Sequence, residues 1–406
     1  MRCKVARYAP LLLVAAALGA ASGCLHPEEE SSLSPLPAAA GRVDPGLGPG
    51  ARPLSFGPGY KGSPSWSPEG DRIAFTMDGY VVDKPPEVDD LRRWTTRDFI
   101  AEDAEWVSGK GLTILGTAPG SGPPSGTEEM TKSVYRARAA DGSFDLKKVA
   151  TGVLAMGSEP ARRGGLILAV GGGPYESGLL LTRGSGEVDR VYPGLVEGRV
   201  VAFSPSPDGR NLVLAVCPPG DRETSELGVF DLRGGGYRRI TRLERDLEIL
   251  GTPQWTGHGL YFVAGKEAPA GGAAAPYHLY RAAPEPGPPE PAPGVGKDFV
   301  ASSIRVSPDG ERLAVIGRLN PESPANLYVL NLLAERLEAV TNNEDMEIKT
   351  GPEDVAWSPG GESVAIIARS IPSTEAEVRA APVNELLEDF YNLYEIPVEG
   401  SGEASR

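Results

Sequence analysis

The sequence predicts an all-β fold, a ring of seven units of four antiparallel strands, on three observations. A phrase recurs along the chain, written most fully as Ile304-Arg-Val-Ser-Pro-Asp-Gly-Glu-Arg-Leu-Ala-Val-Ile316 and again as Trp66-Ser-Pro-Glu-Gly-Asp-Arg-Ile-Ala-Phe75, Phe203-Ser-Pro-Ser-Pro-Asp-Gly-Arg-Asn-Leu-Val-Leu214 and Trp357-Ser-Pro-Gly-Gly-Glu-Ser-Val-Ala-Ile366, with a worn copy at Trp255-Thr-Gly-His-Gly-Leu-Tyr-Phe262. Taking Phe203, Trp255, Val306 and Trp357 as corresponding positions, subtraction gives intervals of 52, 51 and 51 residues, about one four-stranded blade each. The chain also holds 52 Gly and 39 Pro among 406 residues, a richness that suits many short strands joined by turns. Together these describe a β-propeller, with six blades as the alternative if the first two units merge.

Each element of the unit has a local reason. Ser307-Pro308-Asp309-Gly310 is a turn between strands A and B. Proline presets φ, aspartate bonds its own backbone and glycine accepts positive φ. In strand B, Leu313 and Val315 fall on one face and Ala314 and Ile316 on the other. A variable loop leads to strand C (Asn326-Leu-Tyr-Val-Leu-Asn331), and a turn leads to strand D (Arg336-Leu-Glu-Ala-Val-Thr341).

The N-terminal half is more divergent. Unit two carries Ala104-Glu-Trp106, Gly111-Leu-Thr-Ile-Leu115 and Ser133-Val-Tyr-Arg-Ala137; unit three keeps Gly165-Leu-Ile-Leu-Ala-Val170 and Gly178-Leu-Leu-Leu-Thr182. Unit five loses most of its D strand to residues 284–293, where proline denies ladder donors and is tolerable only at an edge. Unit seven runs out after strand C at 391–396. The spare segment Ala51-Arg-Pro-Leu-Ser-Phe56 is therefore expected to add the missing outer strand and close the ring.

Ahead of the ring, Arg2, Lys4 and Arg7 precede an apolar run, Leu11 to Leu18, that is too short to span a bilayer. The run ends Ala21-Ser22-Gly23-Cys24. It resembles the lipobox of bacterial lipoproteins, which implies a signal peptide over 1–23 and a lipid on Cys24; an ordinary secretory signal is the alternative. Residues 24–50 read as a flexible Pro/Gly/Ala-rich tether, 51–400 as the propeller and 401–406 as a disordered tail. Leu25 after the cysteine follows the sorting pattern for the outer membrane, so the expected location is the envelope, anchored and facing the periplasm. With Cys3 and Cys24 so assigned, Cys217 is expected to be a lone buried thiol.

The phrases at 66–75 and 306–315, with the lead-in Gly59-Tyr60-Lys61-Gly62-Ser63-Pro64, are similar to the repeat of TolB-type, WD-repeat-like β-propellers over roughly residues 51–400. The resemblance implies the fold and leaves function open, because such repeats serve scaffolds, peptidase gates and sugar-processing enzymes alike. No α/β domain is expected before the propeller and a lipid anchor is, so a Tol–Pal role is not carried over.

Chemistry is sparse. A formal charge of −15 argues against a nucleic-acid partner. His258 and His278 share unit five without a carboxylate motif, so no metal site and no cofactor is expected. A Gly-x-Ser-x-Gly elbow is missing, which argues against a prolyl-oligopeptidase-type hydrolase. The candidate binding residues are acids on loops that border the channel, Glu244, Asp246 and Glu248 before blade five and Asp345, Glu347, Glu353 and Asp354 before blade seven. Leu386 and Phe390 join them, in a stretch of helical spacing. Long insertions at 118–132, 218–225, 266–276, 318–324 and 369–390 fall between strands B and C, on one side of the disc. The expected function is a protein-binding or assembly scaffold of the cell envelope. The alternative is an enzyme or a small-ligand or cation sensor using acidic channel residues on envelope polysaccharide or peptide.

Overall fold

A computed structural model describes residues 47–398 apart from 49, 56–58, 89, 97–98, 107–110, 118–131, 141–142, 159–164, 172–175, 184–186, 222–223, 245–246, 267–275, 343–345 and 371–390. The N-terminal strand is β1 (Arg52–Pro53). Blade one is β2 (Lys61–Trp66), β3 (Ile73–Met77), β4 (Tyr80–Lys84) and β5 (Arg92–Arg93). Blade two is β6 (Ile100–Trp106), β7 (Gly111–Thr117), β8 (Ser133–Ala140) and β9 (Ser143–Thr151). Blade three is β10 (Val153–Ser158), β11 (Leu166–Gly171), β12 (Glu176–Thr182) and β13 (Val188–Glu197). Blade four is β14 (Arg199–Pro205), β15 (Asn211–Cys217), β16 (Glu226–Asp231) and β17 (Tyr237–Arg242). Blade five is β18 (Leu247–Thr256), β19 (Gly259–Lys266), β20 (Tyr277–Ala282) and β21 (Glu290–Pro291). Blade six is β22 (Val300–Val306), β23 (Arg312–Arg318), β24 (Asn326–Asn331) and β25 (Arg336–Ala339). Blade seven is β26 (Met346–Ile348) with β27 (Val355–Trp357), then β28 (Ser363–Ser370) and β29 (Asn392–Pro397). The fold is thus a seven-bladed β-propeller of antiparallel four-stranded blades, not six-bladed.

β1 supplies the outer strand of blade seven, pairing Arg52 with Glu395 and Pro53 with Tyr394. Proline is tolerated there because an edge strand needs no second ladder donor.

The turn chemistry repeats atom for atom. In blades one, four, six and seven the turn serine (Ser67, Ser206, Ser307, Ser358) donates its backbone N–H to the carbonyl of the residue five places on. Its Oγ accepts that residue's N–H at 2.9–3.0 Å. The glycine three places on (Gly70, Gly209, Gly310, Gly361) donates to the serine carbonyl at φ between +65° and +77°, where only glycine sits without strain.

This bonding corrects the phase assigned to blade four. The turn there is Ser206-Pro207-Asp208-Gly209, so Pro205 opposite Leu212 corresponds to Val306 opposite Leu313. Phe203 takes the place of Ile304, and the intervals over Pro205, Trp255, Val306 and Trp357 become 50, 51 and 51. The chain carries Ser-Pro twice in succession at 204–207, and only the second copy has the Asp-Gly that the turn needs.

Packing follows from strand alternation. Leu313 and Val315 join the core between blades five and six, while Ala314 and Ile316 join the core between blades six and seven. Seven such clusters fill the seven junctions of the ring. Each core is shared, so no blade buries its apolar faces alone. Cys217, 2% exposed, is disulfide-bonded rather than a lone thiol, and its partner lies outside the described residues. The structure thus corrects the expectation drawn from the cysteine count.

Candidate functional site

Two irregularities push side chains into the central channel. In blade seven the inner strand is split: Ile348 faces Ala368 and Val355 faces Ile366, so residues 349–354 bulge out opposite Ile367 alone. In blade five the register slips between Leu250 and Gln254. Bulges re-aim side chains in this way. The two bulges meet, with Thr252 Oγ1 donating to Glu353 Oε1 at 2.8 Å. From blade six, between them, an Arg305 guanidinium N–H donates to Glu353 Oε2 at 2.7 Å.

Blade two completes the cluster. On β6 the alternating residues Ala104 and Trp106 are buried, while Asp103 and Glu105 are half-buried on the other side. Asp103 and Glu105 both feel the charges of Arg305 and Glu353. Blades two and six are not neighbours, so this coupling crosses the channel. Burial, then repulsion from Glu353, pushes the Asp103 carboxyl up to about 6. Burial, then repulsion from Asp103, pushes Glu105 up to about 8. Arg305 is held above its ordinary value: burial alone would lower it, but Glu353, Glu105 and Asp103 outweigh that.

A second polar group lies toward the face where the inner strands begin. Lys349 Nζ donates to the Lys61 carbonyl at 2.7 Å, pairs with Asp354 at 3.2 Å and sits 4.0 Å from the Tyr60 ring centroid. Burial raises the Asp354 carboxyl against the pull of Lys349, and lowers the Lys61 ammonium to about 8 against the pull of Asp78.

The structure therefore sorts the candidate acids. Glu353 and Asp354 reach the channel cluster and its upper neighbour. Glu347 pairs instead with Arg369, whose guanidinium lies 4.9 Å from the Tyr391 ring centroid. Glu248 is buried and accepts the Tyr277 hydroxyl, and Glu244 is exposed. Cys24, Asp246, Asp345, Leu386 and Phe390 lie outside the described residues. His258 sits in an A–B turn and His278 near the opposite end of blade five, its Nδ1 2.9 Å from the Phe299 carbonyl. The pair is not brought together. Among the described residues no group of three or more His, Cys, Asp or Glu side chains is placed to hold a metal ion.

Sequence reasoning missed Asp103, Glu105 and Arg305. A signal existed for the first two: acids at i and i+2 directly before the repeat tryptophan, where other blades carry Ser65, Ser204 or Ala356. That position in blade six is Arg305, the countercharge.

No family model and no curated protein matches this sequence. Solved structures do match its fold. The S511A mutant of puromycin hydrolase aligns with a TM-score of 0.54 at 14% identity, over 78% of this chain and 51% of that one. This chain thus spans about half of that protein. The β-propeller domain of the Trilobed protease from Pyrococcus furiosus, described as having an open velcro topology, gives 0.50 at 11% identity over 77% and 92%. The candidate TolB of Agrobacterium tumefaciens gives 0.45 at 13% identity over 79% and 94%. At these identities the likeness speaks for the fold: this chain is a seven-bladed β-propeller, and in its case β1 closes the last blade.

Proposed function

We propose that this chain is a lipid-anchored β-propeller of the bacterial cell envelope that binds another protein through the face carrying its B–C and D–A loops. The observation that carries the reading is the one-sided variation in connection length. B–C connections run from 2 to 21 residues, whereas A–B turns on the opposite face run from 2 to 7. Exposed Tyr60, Ile100 and Leu319 lie on the variable face. The closed ring holds these loops with little ordering cost on binding. An Ile100→Glu/Leu319→Glu variant should lose a partner recovered by crosslinking and affinity capture from the envelope. Leu333→Glu, on the opposite face, should keep it. Recovery of no discrete partner, or loss only in Leu333→Glu, would sink the reading.

Anchoring rests on the sequence before the ring. In this reading the Cys24 sulfur carries the lipid, and cleavage before Cys24 then removes Cys3. Cys24→Ser should move the protein from the membrane to the soluble fraction; a variant that stays with the membrane would remove the anchor from the reading.

The enzyme reading draws on Asp103 and Glu105, two channel carboxyls held partly protonated near neutrality, as acid–base chemistry requires. Against it, Glu353 is already engaged by Thr252 and Arg305. Turnover of an envelope glycan or peptide, abolished by Glu105→Gln with partner binding intact, would favour catalysis.

A further inference from the structure

The repeat exposes a slot that one blade fills and the next leaves open. In blade six, Arg312 stands five residues after the turn serine. Its guanidinium lies 5.0 Å from the ring centroid of Trp357 in blade seven. Its terminal nitrogen donates to the Gly361 carbonyl at 2.9 Å and to Asp309 at 3.1 Å. Trp357 in turn donates its indole N–H to the Arg305 carbonyl at 2.8 Å.

The junction between blades seven and one has the same frame. Its turns stack alike: a Cβ added to Gly361 would meet Pro308 Cδ at 3.7 Å, and one added to Gly70 would meet Pro359 Cδ at 3.6 Å. Trp66 occupies the place of Trp357. The residue in the place of Arg312 is Ser363, whose N–H bonds Ser358 Oγ at 3.0 Å as the N–H of Arg312 bonds Ser307 Oγ. A serine cannot reach the tryptophan. The indole Nε1 of Trp66 is buried without a hydrogen-bond partner among the described residues, and no described cation stacks on its ring.

A cleft of about 510 Å³ opens at this spot, lined by Trp66, Gly70 and Ser363 and by three glutamates, Glu69, Glu362 and Glu395. Arg52, also in the lining, is engaged with Glu395 and Glu87. Three carboxylates against one guanidinium leave the cleft acidic.

We propose that this cleft is a binding site for an arginine side chain presented by a partner polypeptide, which takes the place that Arg312 holds in blade six. Its guanidinium stacks on Trp66, donates to the Gly70 carbonyl and is neutralised by Glu69 and Glu362. The cleft is wider than a guanidinium, so the residues flanking the arginine enter with it. It lies on the A–B turn face, opposite the loop face, and stands whether or not that face binds a partner.

Calorimetric titration of the full chain with acetyl-Gly-Arg-Gly-amide tests the site. The peptide should bind saturably, about tenfold tighter than its citrulline counterpart and than agmatine. Ser363→Arg should fill the slot from within and abolish binding. Trp66→Leu and Glu362→Gln should each weaken it several-fold, and they carry the test if Ser363→Arg does not fold. Absence of saturable binding, equal affinity for citrulline peptide or agmatine, or binding retained in Ser363→Arg would overturn the proposal.

Discussion

Glu105 shows how a single residue can be set by the whole ring. It shares one side of β6 with Asp103 and meets the field of Arg305 and Glu353 from across the channel. Burial and the nearby acid win over the arginine, and the carboxyl rises from 4.5 to about 8. Between those values the folded chain holds a proton that the unfolded chain has released. Stability from this source is therefore present at low pH and falls as pH rises through that window, with Asp103 adding its part between 3.8 and about 6. Urea midpoints should accordingly be lower at pH 8 than at pH 5. Glu105→Gln, which keeps the shape and removes the ionisation, should flatten that slope. An unchanged slope in the variant would show that Glu105 ionises freely in the channel. The sequence signalled the two acids before the repeat tryptophan but not their surroundings, because three blades contribute and their approach depends on two bulges.

At the scale of the element, turn chemistry is local and therefore readable. Serine and glycine sit within four residues of one another, and their bonds recur in four blades. Where the sequence misled, in blade four, a duplicated Ser-Pro hid the position of the Asp-Gly. Blade one holds a device that no repeat announces. Asp83, fully buried on β4, accepts from Arg72, from Arg92 at 2.8 and 2.9 Å and from Trp94 Nε1 at 2.9 Å. It ties the A–B turn to the outer strand of a blade whose D strand is only two residues long. Removing the carboxylate leaves two half-buried guanidinium groups and a buried indole N–H without their acceptor. Asp83→Ala should cost about 3 to 5 kcal/mol in urea unfolding. A loss below about 1 kcal/mol would mean that solvent screens the cluster as it screens a surface pair.

The whole molecule is a ring in which every core is shared, so its weakest point is where the first and last strands of the ring meet. Ring closure was legible because blade seven ran out of strands while a spare one stood ahead of blade one. What could not be read is that residues 47–55 serve two junctions. Leu47 and Ala51 are buried between blades six and seven, and Leu54, fully buried, lies between blades seven and one. The backbone is fixed as well: Leu54 N–H donates to the Leu393 carbonyl at 2.7 Å, and Leu393 N–H donates to Ser55 Oγ at 2.8 Å. Leu54→Ala should cost about 2 to 5 kcal/mol, the range for emptying a packed aliphatic site. Deleting 47–55 should do more, exposing the edge of β29 and opening both junctions. Hydrogen exchange should then accelerate first in blades seven, six and one and last in blades three and four, on the far side of the ring. Deletion of 27–46, which stops short of these contacts, should leave exchange in the blades as it was. If deleting 47–55 left β28 and β29 as protected as before, the ring would owe its closure to side-chain packing between blades seven and one alone, and β1 would be dispensable.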